Sequence, residues 1–204
     1  MIFQSITGAF QSFEQLQSTL KNMPRKHPTL LVGIDGCGGS GKSTFTEELT
    51  KLNSEITIIH MDDFYLPSKQ RINDTVLQKT VGADFDWKRL RNQVLIPLST
   101  NNHTKYQVYD WATDTLGHWI EVNPGGIVVI EGVYSLRSEL ADFYDYKIFI
   151  YCQRETRLKR GLERDGENAR DIWENNWMVA EDKYIREHRP FEEADLIIDG
   201  GGTT

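Results

Sequence analysis

Lys42 and Ser43 close a glycine-rich run, LLVGIDGCGGSGKST from Leu30 to Thr44, and set an ammonium beside a hydroxyl. Gly36, Gly41, Lys42 and Ser43 read as G-x-x-x-x-G-K-S. At that spacing the backbone N–H groups of Gly38, Gly39, Ser40 and Gly41 approach phosphate oxygens and Lys42 reaches the β- and γ-phosphates. The hydroxyl of Ser43, with Thr44 next to it, serves a Mg²⁺ ion. Gly36, Gly38 and Gly41 also read as G-x-G-x-x-G, the dinucleotide-binding spacing. Asp62 and Asp63 follow about 20 residues later, where an acid would meet a ribose hydroxyl. Both readings use the glycines in the same way, to bring N–H groups to the positive end of a helix. Lys42 and Ser43 decide for phosphoryl transfer, because a dinucleotide-binding turn requires neither. A Rossmann oxidoreductase using NAD is the rival, which tight NADH binding without ATP binding would revive.

Two acidic strand ends suit the same chemistry. HMDDFYLP places Asp62 at the carboxyl end of an apolar run, where ligands gather in open α/β sheets and a carboxylate can take the proton of an attacking hydroxyl. A plain turn before Pro67 also accounts for Asp62 and Asp63. GIVVIEG ends in Glu131, the place of a carboxylate that organises Mg²⁺ or its water shell. Arg154, Arg157, Arg160 and Arg164 recur at helical spacing, the last three on one face and Leu158 and Leu162 on another. Such a face can fold over the developing charge of a triphosphate. A solvated face paired with Glu155, Glu163 and Asp165 is the plainer account. The sequence has no N-K-x-D segment with which a switch GTPase would read guanine.

Tyr65, Trp87, Tyr109, Trp111 and Trp119 are candidates to wall an acceptor pocket by stacking on a base or sugar face. Trp173, Trp177 and Tyr184 sit at helical spacing and read as core. His60 lies inside an apolar run and reads as a packed residue, while His27, His103 and His188 form no ligand spacing. Cys37 and Cys152 form no C-x-x-C pair and read as reduced thiols of a cytoplasmic protein.

The elements that must position these groups are legible as hydrophobic pattern. Phe10, Phe13, Leu16, Leu20 and Met23 predict an amphipathic helix within residues 1–28, stopped by Pro24. TLLVGID, ITIIHMD, GIVVIEG, YKIFIYC and LIID read as buried strands. Lys42–Leu52 and WKRLRNQVLIPLS read as helices, and KYQVYDW with GHWIEV reads as a hairpin within 102–123. Strands alternating with helices predict a mostly parallel sheet covered on both faces. The chain has 204 residues, enough for one domain without staples, and 26% of them are charged, as in ordinary globular proteins. A net charge of −7 argues against nucleic-acid binding, which needs a basic face. No run of eighteen apolar residues occurs, so no membrane span is expected.

GIDGCGGSGKST, DDFY, YDW, IEG, RLKRGLERD and RPFEEADLIID, in that order, resemble the uridine kinase and phosphoribulokinase family of P-loop kinases, from about Thr29 to Asp199. The resemblance implies an α/β fold of three layers around a parallel five-stranded sheet, with a β-hairpin beside the acceptor and an arginine lid, here within 153–171. It implies Asp62 as general base, Lys42 on the γ-phosphate, and Ser43, Glu131 and Asp62 around Mg²⁺. Arg157, Arg160 and Arg164 would form the lid, and Tyr65, Asp84, Tyr109 and Trp111 would surround the acceptor. Uridine-cytidine kinases carry a His shortly after Y-D-[FW]; this chain has YDWATDTLG, with Asp114 near that place and His118 four residues on.

The activity implied is ATP- and Mg²⁺-dependent phosphorylation of a small metabolite, foremost the 5′-hydroxyl of a nucleoside. A sugar phosphate or vitamin precursor as acceptor, and an ATP-binding regulator without turnover, are the alternatives. The hairpin permits a homo-oligomer without requiring one.

Overall fold

The computed structural model describes residues 2–5, 10–25 and 27–202. Ile2–Gln4 (β1) and Phe10–Ser12 (β2) pair antiparallel and lead into α1, Phe13–Asn22. The N-terminal helix predicted within 1–28 is thus corrected at its start, since Phe10 belongs to a strand. Residues 1, 6–9 and 26 of that segment lie outside the described residues. A capping box sets the boundary: the Gln15 N–H donates to the Ser12 hydroxyl and the Ser12 N–H to the Gln15 side chain. Three residues later than expected, the apolar stripe takes hold, with Phe13, Leu16 and Leu20 buried.

Leu30–Asp35 (β3), Ile56–His60 (β4), Ile127–Glu131 (β7), Tyr146–Tyr151 (β8) and Leu196–Asp199 (β9) form one parallel sheet in the order β4-β7-β3-β8-β9. Thr104–Asp110 (β5) and Thr115–Val122 (β6) form a separate antiparallel hairpin. Every residue of β3 and β7 is buried, which is why both read as unbroken apolar runs. Their side chains alternate between two cores. Leu30, Val32, Ile127 and Val129 meet α1 and the helix α2, Lys42–Lys51, through Leu16, Leu20, Phe45 and Leu49. Leu31, Val128 and Ile130 face the other way, toward Leu90, Val94, Tyr106 and Tyr184. Each such fully buried aliphatic side chain contributes about 1.5–3 kcal/mol relative to exposure.

The second face is covered by α3, Trp87–Leu90, and its continuation through a π-helical turn, Arg91–Leu95, into Ile96–Ser99. Pro97 has no N–H to give and crowds the carbonyl four residues back. That carbonyl, of Gln93, instead accepts the Thr104 hydroxyl. The helix α4, Arg154–Asp165, follows β8, and a second π-helical turn, Trp173–Trp177, leads into α5, Met178–His188. Among the described residues no helix is long and apolar enough to cross a membrane.

Candidate active site

The carboxyl ends of β3, β4 and β7 open into a cleft of about 1200 Å³. From the loop between β3 and α2 it is lined by Gly38, Gly39, Gly41, Lys42, Ser43 and Thr44, and from the strand ends by Asp62 and Glu131. Gly41, at φ +97°, turns the loop into α2 with a backbone that L side chains rarely adopt. Gly39 lies so close to α4 that a Cβ there would stand 2.5 Å from the Arg157 carbonyl oxygen. Gly36 and Ser40 sit behind this surface. Gly36 donates its N–H to Asp35 at 2.5 Å, and the fully buried Ser40 hydroxyl has no partner among the described residues. Lys42 reaches back along the loop, its Nζ donating to the Cys37 carbonyl at 3.1 Å. Burial pushes the Cys37 thiol up to about 12, so it behaves as a packing group.

Asp62 stands in the turn Met61–Phe64 directly after β4. It faces the water of the cleft but is walled by protein; this burial, then the neighbouring Glu131, raises its carboxyl above the usual range against the pull of Lys42. Glu131 is buried. Its Oε1 meets His60 Nδ1 at 2.7 Å, whereas its Oε2 has no partner among the described residues. A buried carboxylate oxygen left open beside Ser43 and Asp62 fits a hydrated Mg²⁺, which uses one or two carboxylates plus phosphate oxygens and waters. His60 is therefore no packed core residue: its side chain is half exposed and its hydrogen bond to Glu131 raises it.

The far wall of the cleft is aromatic. Tyr65 stacks on Trp111 with centroids 4.8 Å apart and meets Phe85 edge-on at 5.0 Å. Arg71 reaches the same wall, donating to the Tyr65 hydroxyl at 3.2 Å. Asp84 lines the cleft with Lys79 Nζ at 2.8 Å. Tyr109 supports this wall from behind. Its hydroxyl donates to Asp114 at 2.6 Å, and neither residue lines the cleft. Asp114 also accepts the N–H and hydroxyl of Ser68, and these bonds hold its carboxyl down to about 2. His118 is exposed on β6, away from the cleft lining. Trp87 packs into the core beneath Arg137, and Trp119 stands on the outer face of the hairpin with Lys105, so neither walls the pocket.

The three arginines expected on one helix face do different things. Arg160 and Arg164 line the cleft. Arg160 Nη1 donates to the carbonyls of Gly39 and Gly200, and Arg164 pairs with Asp165 at 2.7 Å. Arg157 is turned inward and does not line the cleft; it is buried against Glu181, Nη1 to Oε2 at 2.7 Å. Arg154 pairs with Asp182 rather than with an acid of its own helix. Trp173 and Tyr184 are buried as predicted, but Trp177 is 39% exposed and lines the cleft mouth.

Arg71, Phe85, Glu181 and Lys183 are cleft residues that pattern reading passes over. The aromatic spacing of DFDW, Asp84–Trp87, is the available signal for Phe85; the others carry none that periodicity can detect.

A parallel sheet carrying a glycine-rich loop between β3 and α2, with a carboxylate at the end of each strand flanking the cleft, defines a P-loop phosphotransferase. The sequence model of the Phosphoribulokinase / Uridine kinase family matches residues 31–204, and the chain belongs to that family. A uridine kinase of Staphylococcus aureus (strain JH9) is 28% identical over 188 residues, covering 86% of this chain and 89% of that relative. A structure described as a possible uridine kinase from Bacillus stearothermophilus superposes with a TM-score of 0.73 at 24% identity, covering 92% of this chain and 97% of that one. A D-glycerate 3-kinase from Cryptococcus neoformans shares the fold at a TM-score of 0.58 and 14% identity, over 88% of this chain and 87% of that one. The chain is an ATP-dependent small-molecule kinase.

Proposed function

We propose that this kinase transfers the γ-phosphoryl group of ATP to the 5′-hydroxyl of a nucleoside. One observation carries the reading: a single cleft holds the phosphate loop, the carboxylates Asp62 and Glu131, and the stacked Tyr65–Trp111 pair. The loop takes the triphosphate, the aromatic pair takes the base, and Asp62 takes the acceptor hydroxyl between them. As the acceptor oxygen bonds to phosphorus and the bond to ADP breaks, the hydroxyl proton passes to Asp62. Ser43, Glu131 and Asp62 would hold Mg²⁺, which when bound neutralises charge on the phosphate oxygens. Arg160 and Arg164 exchange their present protein partners for the phosphates.

The locked Asp114 favours a second reading. With its carboxylate spent on Ser68 and Tyr109, Asp114 is not presented to a pyrimidine edge, which suits a sugar phosphate or vitamin precursor as acceptor. ADP release with Mg-ATP across uridine, cytidine, purine nucleosides, nicotinamide riboside, pantothenate and ribulose 5-phosphate separates the two. Strong stimulation by one nucleoside is expected. Stimulation by a non-nucleoside alone would replace the first reading with the second, and Mg-ATP binding without any stimulation would favour a nucleotide-binding regulator.

A further inference from the structure

We propose that Glu181 is a positioning residue for nucleotide binding: through the N–H of Gly38 it sets the phosphate loop in its binding shape before the nucleotide arrives. Glu181 belongs to α5, far from the loop in sequence. Its Oε1 accepts the Gly38 N–H at 2.7 Å while its Oε2 is held by Arg157 of α4 at 2.7 Å. Both side chains are 6% exposed. Two helices thus grip one turn of the loop through a single carboxylate.

Stability alone does not explain such a pair. Two buried charges lose several kcal/mol of hydration, and apolar residues of equal volume often do as well or better. Arg157 Nε, moreover, is buried without a partner among the described residues, a further cost that a purely structural clamp would avoid. What the pair does supply is position. A Cβ on Gly38 would stand 3.0 Å from Glu181 Oε1 and 3.1 Å from the Trp173 ring, so the loop backbone is seated directly on this carboxylate. A preset loop binds phosphate without first ordering itself. Arg157 neutralises the carboxylate, so the approaching phosphates do not meet an unpaired negative charge.

The inference rests on Gly36–Thr44 binding nucleotide phosphates. Two double variants of equal charge isolate it: Arg157→Met with Glu181→Gln keeps an acceptor for the Gly38 N–H, and Arg157→Met with Glu181→Met removes it. Titration calorimetry with Mg-ADP should give a Kd on the order of tenfold weaker for the second than for the first, at equal stoichiometry. A merely structural role would lower the stoichiometry and leave Kd alone. Equal Kd values for the two would overturn the role of Glu181, whereas a wild-type protein that fails to bind Mg-ADP would remove the phosphate-loop reading itself. If the second variant does not fold, amide exchange of the nucleotide-free wild type decides. A protected Gly38 N–H is expected, and rapid exchange would sink the proposal.

Discussion

His60 and Glu131 are register partners across the β4–β7 pair, and His60 Nδ1 meets Glu131 Oε1 at 2.7 Å. The ring fixes one oxygen of a buried carboxylate and leaves Oε2 buried without a partner among the described residues. Residues that orient a metal-organising carboxylate typically change metal affinity or activity 10- to 100-fold. His60→Ala should therefore raise the Mg²⁺ concentration needed for half-maximal activity by about tenfold. A Mg²⁺ titration at saturating ATP checks this; an unshifted midpoint would make the contact incidental.

Asp62→Asn separates chemistry from nucleotide binding. The amide keeps the shape of the turn after β4 but takes no proton, so kcat should fall about 10²- to 10⁴-fold while the Kd for Mg-ATP stays within a few-fold. Steady-state rates beside a binding titration supply both numbers. An unchanged kcat would move the base elsewhere.

The aromatic wall has its own signature. Trp111 is 62% exposed and stacks on Tyr65, so its removal leaves the fold intact but strips one face from the acceptor. Stacking of this kind is worth about 1–3 kcal/mol per base. Trp111→Ala should raise KM for a nucleoside acceptor about tenfold and leave KM for ATP unchanged. A shift in the ATP value alone would place the tryptophan on the donor side.

How far these residues were readable depends on where their partners lie. The sheet strands announced themselves because both faces are covered, which makes β3 and β7 continuous apolar runs. Lys42, Ser43, Asp62 and Glu131 announced themselves because loop and strand ends fix them by local sequence. Arg157 did not, because its face on α4 is decided by Glu181, which lies on another helix. Arg71 and Phe85 stand in an irregular stretch between β4 and α3, where neither a period of two nor of 3.6 exists to be read. His60 was misread because strand alternation at the sheet edge, where β4 has one neighbour, exposes what an interior strand would bury.

Asp35, at the end of β3, gives stability a pH dependence. It is fully buried, accepting from the Tyr184 hydroxyl at 2.6 Å and the Leu136 N–H at 2.7 Å, and burial pushes its carboxyl up to about 6. A carboxyl with a raised folded-state pKa binds more protons folded than unfolded, so stability falls as pH rises from about 4 to about 6 and then levels. A shift of about two pH units corresponds to about 3 kcal/mol. Urea midpoints of the wild type and Asp35→Asn between pH 4.5 and 7.5 isolate this contribution, since the asparagine does not titrate. Parallel curves would show that Asp35 ionises alike in both states.

Gly161, in the middle of α4, tests whether helix preference or packing governs the floor of the cleft. Alanine is the better helix former by about 1 kcal/mol, which alone would stabilise Gly161→Ala. But a Cβ at Gly161 would stand 2.4 Å from Cε2 and Cζ2 of Trp173, a ring too large and too buried to swing away. Overpacking of that kind costs about 1–3 kcal/mol, so the clash outweighs the helical gain. Trp173 also lies against Gly38, and its Nε1 donates to Asp165, the partner of Arg164. A displaced ring therefore disturbs the phosphate loop and the arginine together. Gly161→Ala should lower Tm and raise KM for ATP, whereas Gly161→Ala combined with Trp173→Phe, which removes the benzo edge near Gly161, should recover most of the Tm. Recovery of Tm with KM for ATP still raised would assign the Trp173–Asp165 contact its own part in holding Arg164.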